Sequence, residues 1–198
     1  MERSPFSIKF QEALVFAADV HKGQVKKGTS IPYISHPLAV CALVLEHGGD
    51  EEEAIAALLH DILEDHPETV TRERLQEQFG ERVLSVVEGC TDTPPNYRGG
   101  PKPPWRERKI AYIDRLRREG SAYARVALAD KLHSARAILS DYRQLGDQLW
   151  SRFNAGKEEQ LWYFRSLVGA FADAGAPSQM VEEFNHTVIQ LEGLAKAP

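Results

Sequence analysis

Apolar residues recur at intervals of three and four along most of the chain, the spacing that places them on one face of an α-helix. The first such run ends near His21 and contains Phe6, Phe10, Leu14, Ala17 and Ala18. A second helix is predicted to carry Pro37 in its first turn and to end before Gly48-Gly49. Further helices are predicted over 72–79, 81–91, 105–119, 121–140, 158–174 and 178–194. Little of the chain shows the alternation of apolar and polar residues that is typical of a β-strand, so the pattern predicts an all-α fold.

The helix predicted to follow Asp50 is apolar on every side. Asp50 is its expected N-cap, and the acidic residues 51–53 lie in the first turn, where the helix dipole favours negative charge. Residues 54–59 then read Ala-Ile-Ala-Ala-Leu-Leu and offer no polar face. A helix of this kind is usually buried in the middle of a domain. We therefore expect it to form the centre of the core.

Polar residues directly follow this apolar segment, in the run His60-Asp61-Ile62-Leu63-Glu64-Asp65. If the helix continues, His60 and Glu64 share one face, and so do Asp61 and Asp65. His60 and Asp61 would point about 100° apart and reach one point beside the helix. Uncompensated charges at the end of a buried helix are costly, and a divalent cation would compensate them. The alternative, a solvated helix end, is disfavoured because acids oppose the dipole at a helix C-terminus.

Two further residues complete a candidate metal site. His36 begins the second helix, and Asp130 interrupts an apolar helical run over 126–132. The predicted ligand set combines two imidazoles with two carboxylates: His36, His60, Asp61 and Asp130. Such a mixture suits manganese, iron or zinc, and ligands from three segments with room for water are typical of a catalytic site. For Asp130, a buried ion pair with Lys131 or Arg136 is the alternative interpretation.

Composition narrows the class of protein. The chain has 198 residues, about the length of one domain, and its 24 basic and 29 acidic side chains give a net charge of −5. This balance argues against a general nucleic-acid binder. The 2 cysteines cannot form a disulfide framework, and residues 1–11 show no secretory signal. Because no run approaches 18 consecutive apolar residues, we expect no membrane span and a cytoplasmic location.

Taken together, these motifs resemble the HD-domain metal phosphohydrolases, and within them the hydrolase domain of the RelA/SpoT homologues. The likeness is greatest to the small stand-alone alarmone hydrolases. The strings that carry it lie in order over roughly residues 8–172: His21-Lys22-Gly23-Gln24, 32–37, 58–65, Phe79-Gly80, Cys90-Thr91-Asp92, 107–109, 128–132 and 162–164. We therefore expect a single HD-type helical bundle over residues 1–198, with a metal site in its core and 175–198 as a C-terminal helical extension.

The resemblance implies a guanosine-3′,5′-bis(diphosphate) 3′-pyrophosphohydrolase. Such an enzyme removes the 3′-pyrophosphate of guanosine tetra- and pentaphosphate, giving GDP or GTP and pyrophosphate. Manganese is the implied metal, although two imidazoles and two carboxylates also admit iron, zinc or cobalt. By the same resemblance, Glu64 and Asp65 are the catalytic pair that orients or deprotonates the attacking water. The expected partner is a small guanine nucleotide, and a homo-oligomer formed through helix 178–194 stays open.

The resemblance also suggests residues that bind the nucleotide: Lys26, Lys27, Lys102, Arg108, Lys109, Ser134 and Tyr163. The family usually has an Arg-Lys pair where this chain has Val25-Lys26-Lys27, and an Asn where it has Ser134. These departures leave open a different nucleotide substrate, such as NADPH, or a non-catalytic nucleotide-binding regulator. The basic stretch over 98–109 has an alternative interpretation as a solvated charged face.

Overall fold

The computed structural model describes residues 6–93 and 102–196. Within these ranges the regular structure is helical, apart from one isolated bridge between Val25 and Pro32. The all-α fold predicted from the apolar spacing is therefore confirmed. The chain forms two compact units, of which the first ends at Thr91 and the second begins at Asp92. Most of the loop predicted over 93–104, including Arg98, lies outside the described residues.

The first unit is built around one buried helix. Its helices are α1 (Ile8–Val20), α2 (Ser35–Glu46), α3 (Glu51–Leu59), α4 (Ile62–Asp65), α5 (Arg72–Phe79) and α6 (Glu81–Cys90). Helix α3 packs against α1, α2 and α6. Asp50 and Glu53 form a reciprocal capping box at its start, which satisfies backbone N–H groups that a helix N-terminus leaves unpaired. Residues 54–59 are at most 1 % exposed, so the burial predicted from their apolarity is confirmed.

The expectation of one continuous helix through residue 65 is wrong. Helix α3 ends at Leu59 and α4 begins at Ile62, so that His60 and Asp61 lie in the break. Asp61 has φ −95° and ψ −8°, a conformation in which many active-site residues are found. Its carbonyl oxygen accepts from the backbone N–H groups of Glu64 and Asp65, at 3.0 and 2.9 Å. The chain turns more tightly here than a regular α-helix.

The second unit consists of longer helices. They are α7 (Trp105–Glu119), α8 (Ala124–Leu145), α9 (Lys157–Asp173) and α10 (Ser178–Lys196), with 3₁₀ turns at Gly120–Ala122 and Gly146–Arg152. Helix α8 runs beyond the predicted residue 140 and ends before Gly146, whose φ of +54° suits glycine. Helix α10 packs on α8 and α9 and buries Met180 and Phe184. In the ranges 6–93 and 102–196, no helix has the length and apolarity to cross a membrane.

Candidate functional site

Three predicted metal ligands converge in the first unit. The Nε2 atoms of His36 and His60 are 3.1 Å apart, and Oδ2 of Asp61 lies 3.1 Å from Nε2 of His60 and 3.5 Å from Nε2 of His36. Ligands held about 2.1 Å from one ion, at angles of about 90–110°, are about 3.0–3.4 Å apart. The three atoms are therefore spaced as neighbouring ligands of one divalent cation.

The hydrogen bonding of His60 prepares it as a ligand. Its ring is 2 % exposed, and Nδ1 lies 2.8 Å from the carbonyl oxygen of Ala57. A carbonyl only accepts, so Nδ1 carries a proton and, in the neutral ring, Nε2 carries a lone pair. A backbone partner of this kind fixes the ring orientation and tautomer of a metal-bound histidine. The lone pair of His60 points at Asp61 and His36.

The Asp61 carboxylate is held in its charged form by its neighbours. Burial raises its pKa, but the charge and hydrogen bonds that the His60 and His36 rings supply when protonated bring the pKa of Asp61 well below its usual range. Histidines bind a metal in their neutral form, and a bound cation would then take the place of this positive charge. The hydroxyl of Tyr33 donates a hydrogen bond to Oδ2 of the same carboxylate. Tyr33 lies in the segment 32–37 that resembles the family, and its contact with Asp61 spans 28 residues of sequence. It is a further polar side chain of this site.

The two predicted catalytic carboxylates, Glu64 and Asp65, are each held by a neutral donor. The Thr91 hydroxyl donates to Oε1 of Glu64, and Nε2 of Gln24 donates to Oδ2 of Asp65 at 2.8 Å. Glu64 is half-buried, whereas Asp65 is exposed. Both donors stand inside the strings that carry the family resemblance. The strings alone do not show which acid each donor contacts.

The remaining predicted ligand, Asp130, lies in the second unit on α8 and is 5 % exposed. Lys131 Nζ donates to its Oδ2 at 2.6 Å, and the Ser134 hydroxyl donates to Oδ1 at 3.2 Å. The ion pair with Lys131 that the sequence offered as an alternative is therefore present, whereas Arg136 pairs with Glu183. Burial lowers the pKa of Lys131, but the neighbouring Asp130 raises it well above its usual value. Lys131 is therefore charged at neutral pH.

Two predicted phosphate-binding cations of the second unit share one carboxylate. Arg108 Nη1 lies 2.5 Å from Oδ1 of Asp92, and Lys109 Nζ lies 2.6 Å from its Oδ2. The Asp92 side chain is 7 % exposed. Burial raises its pKa, but the charges of Lys109 and Arg108 bring the pKa of Asp92 below its usual value. The cluster of one acid and two bases keeps a net positive charge.

The other predicted nucleotide contacts differ in exposure. Tyr163 is buried on α9, with its ring centroid 4.7 Å from Lys109 Nζ and 5.7 Å from the ring of Trp105. The structure thus brings Tyr163 and Lys109 together. Lys102 and Lys27 are exposed and Lys26 is half-buried. The two neighbouring lysines lie in the first unit, in the loop closed by the bridge between Val25 and Pro32.

Comparisons with known proteins identify the family of this chain. The model of the HD domain family matches residues 13–160. The guanosine-3′,5′-bis(diphosphate) 3′-pyrophosphohydrolase MESH1 of Xenopus tropicalis is 36% identical over 143 residues, which cover 71% of this chain and 73% of that protein. The solved structure of a metazoan orthologue of SpoT that hydrolyses ppGpp superimposes with a TM-score of 0.73 at 25% identity, covering 97% of this chain and 99% of the other.

Relatives with a longer chain match as well. A guanosine-3′,5′-bis(diphosphate) 3′-pyrophosphohydrolase of Haemophilus influenzae is 34% identical over 130 residues, or 63% of this chain. The match covers only 18% of that longer protein. The helical fold and the histidine–aspartate cluster define the class, a helical protein with a candidate site for a divalent cation. The family match is more specific: the chain belongs to the HD domain family.

Proposed function

We propose that the protein is a metal-dependent phosphohydrolase that removes the 3′-pyrophosphate of guanosine tetra- and pentaphosphate. The observation that carries the proposal is the convergence of three ligand atoms, from His36, His60 and Asp61, in a chain of the HD domain family. The Xenopus relative, which bears the name of this activity, matches nearly three quarters of both chains. A site of imidazole and carboxylate ligands suits this chemistry.

We assign the metal to His36, His60, Asp61 and Asp130. The first three are spaced as ligands of one ion, and Asp130 is a buried carboxyl group within the range of the family match. Manganese is the proposed ion, and iron, zinc or cobalt suits the same ligands. When bound, a divalent cation lowers the pKa of a coordinated water and offsets phosphate charge.

Glu64 and Asp65 are the proposed catalytic carboxylates. In the proposed reaction, the attacking water forms a bond to the phosphorus next to the ribose 3′ oxygen and gives a proton to one carboxylate. The bond between that phosphorus and the 3′ oxygen breaks, and the 3′ oxygen takes up a proton. Pyrophosphate and GDP, or GTP, are the products. Thr91 and Gln24 hold the two carboxylates in place through their hydrogen bonds.

The nucleotide phosphates need cations, and the proposed contacts are those expected from the sequence. The ion pairs of Arg108 and Lys109 support a role in phosphate binding, because the Asp92 carboxylate holds both positive groups side by side. The remaining proposed contacts are Lys26, Lys27, Lys102, Ser134 and Tyr163.

We propose that residues 1–198 act as one HD-type hydrolase domain in the cytoplasm, and the family match over 13–160 supports the single domain. The free thiols of Cys41 and Cys90 fit a reducing compartment.

A nucleotide panel tests this proposal. The purified protein is stripped of metal, reloaded in separate samples with manganese, iron, zinc or cobalt, and given guanosine tetraphosphate, GTP or NADPH in parallel. We expect the highest kcat/KM with guanosine tetraphosphate, and pyrophosphate as a product. Asp61→Asn abolishes turnover, whereas Asp114→Asn, at an exposed position on α7, serves as the matched control. Faster hydrolysis of NADPH, or no release with any of the four metals, contradicts the proposal.

A further inference from the structure

We propose that Gln24 is a positioning residue that orients Asp65 for catalysis and anchors it to two histidines. The inference rests on the proposed function, because it assigns Asp65 to the catalytic pair. The structure shows one amide side chain joined to three titratable groups: His21, His66 and Asp65. We call these four residues the Gln24 hub.

The hub is a set of short hydrogen bonds around one amide. Gln24 Nε2 lies 2.8 Å from Oδ2 of Asp65. Its Oε1 lies 2.6 Å from Nδ1 of His21 and 3.2 Å from Nε2 of His66. His21 is 3 % exposed and caps the C-terminus of α1, so this member of the hub is anchored in the core. The hub thus links an exposed acid to a buried ring.

The chemistry of the partners determines how the amide is oriented. An ionised carboxylate only accepts hydrogen bonds, so the NH₂ group of Gln24 must face Asp65. The opposite orientation would place Oε1 against a carboxylate oxygen. With the NH₂ group facing Asp65, Oε1 accepts from His21 and His66. Burial lowers the pKa of His21, so at neutral pH its single ring proton is on Nδ1.

Gln24 is itself held by the backbone. Its N–H donates to the carbonyl oxygen of His21 at 3.1 Å, and its carbonyl oxygen accepts from the N–H of Tyr33 at 2.9 Å. Tyr33 in turn donates its hydroxyl to the proposed metal ligand Asp61. The turn that holds Gln24 therefore also places a donor on Asp61.

Asp65 needs a hydrogen-bond partner such as Gln24, because helix α4 alone does little to restrict its side chain. It is exposed and is the last residue of α4, a helix of 4 residues. An exposed side chain at a helix end samples several χ1 rotamers unless a partner selects one. A catalytic base must lie within hydrogen-bond reach of the proton that it removes. Selection of one rotamer by Gln24 would therefore raise the fraction of molecules ready to react.

Two substitutions separate the two sides of the hub. Gln24→Glu keeps an oxygen that accepts from both histidines but replaces the donor to Asp65 with a repelling carboxylate. Gln24→Leu removes both interactions. The matched controls are Gln76→Glu and Gln76→Leu, because the Gln76 amide also donates to an acid, Glu81, at an exposed site of the same unit.

We expect both Gln24 variants to lower kcat by about 10–100-fold, with KM and manganese affinity changed by less than about twofold. The Gln76 variants keep the wild-type kcat. If Gln24 only stabilised the fold through the histidines, Gln24→Glu would keep the wild-type kcat. In that case only Gln24→Leu would lower kcat, and it would lower the melting temperature as well. A wild-type kcat in Gln24→Glu overturns the proposal.

A second readout does not depend on turnover. Three-bond NMR couplings report the χ1 rotamer of Asp65 in the zinc-loaded protein, because zinc is diamagnetic and does not broaden nearby signals as manganese does. The proposal predicts one rotamer in the wild type and in the Gln76 variants, and averaged couplings in both Gln24 variants. Unchanged couplings in the Gln24 variants overturn the positioning role. Absence of hydrolysis by the wild type, with the couplings as predicted, instead contradicts the proposed function and leaves the positioning of Asp65 by Gln24 supported.

Discussion

The Nε2 atoms of His36 and His60 face each other at 3.1 Å, while the Nδ1 proton of His60 is engaged by the carbonyl oxygen of Ala57. A cation between such nitrogens binds the folded chain but not the unfolded one, so it stabilises the fold. At 100 times its Kd, manganese should add about 2.7 kcal/mol. For a chain of this size the melting temperature then rises by about 5–10 °C.

This stabilisation is measured by thermal unfolding of the metal-stripped protein with and without manganese. In His36→Asn, most of the manganese-induced rise in melting temperature should be lost, because the substitution removes one imidazole ligand. A chelator should reverse the rise in the wild type. An equal rise in the wild type and in His36→Asn would show that manganese binds elsewhere.

The hydrogen bond from Tyr33 to Asp61 predicts a smaller effect on the same site. Tyr33→Phe keeps the ring and removes the donor that orients the carboxylate. Loss of such a partner weakens metal affinity by about 10–100-fold. Isothermal titration with manganese measures this change. The matched control is Tyr142→Phe, which removes a 2.7 Å hydrogen bond to Asp147 at an exposed site and should leave the affinity as it is.

The two acids after the ligands are predicted to act on the rate rather than on the metal. Glu64→Gln and Asp65→Asn should each lower kcat by about 10²–10⁴-fold, because each removes a candidate general base. Manganese affinity should stay within about twofold. Glu68→Gln, an exposed acid four residues beyond Glu64, is the control. Parallel loss of metal and of turnover would mean that these acids are ligands instead.

Asp92 predicts a pH-dependent contribution to stability. Its pKa is lower in the folded protein than in the unfolded chain, where it is about 3.9. The stabilisation is therefore complete above the unfolded pKa and is lost as the pH falls through the folded one. At pH 7, Asp92→Asn should lower the free energy of unfolding by about 1.5–3 kcal/mol.

Urea unfolding of the wild type and Asp92→Asn at several pH values measures this contribution. The difference between the two proteins should be constant from pH 7 to about pH 5 and should shrink below about pH 4. Asp114→Asn, at an exposed site on α7, controls for the substitution itself. A difference that grows as the pH falls would contradict the charge state assigned to Asp92.

Much of the fold could be predicted because apolar spacing reports burial directly. The all-apolar run over 54–59 is the buried centre of the first unit, and the helices over 72–79 and 105–119 have the predicted bounds. The break at His60 and Asp61 could not be predicted in this way. Both residues keep right-handed backbone angles, and the difference from a regular helix lies in φ and ψ at Asp61, which no residue pattern encodes.

The candidate site was predictable as a set of residue types but not as a set of contacts. His36, His60 and Asp61 stood out because they were polar residues beside apolar runs. Their partners did not, since a threonine or glutamine in a turn is ordinary in sequence. Thr91 and Gln24 reach their acids across 27 and 41 residues, and no periodicity links positions so far apart.

The identity of the products tests the proposed hydrolysis most directly. A ³¹P NMR time course follows guanosine tetraphosphate with the manganese-loaded wild type, with the metal-stripped protein and with Asp65→Asn. We expect pyrophosphate and GDP to appear in equal amounts, and at a substantial rate only with the manganese-loaded wild type. Release of orthophosphate with a 3′-monophosphate left on the nucleotide would contradict the proposed hydrolysis. So would an unchanged spectrum with manganese, iron, zinc and cobalt.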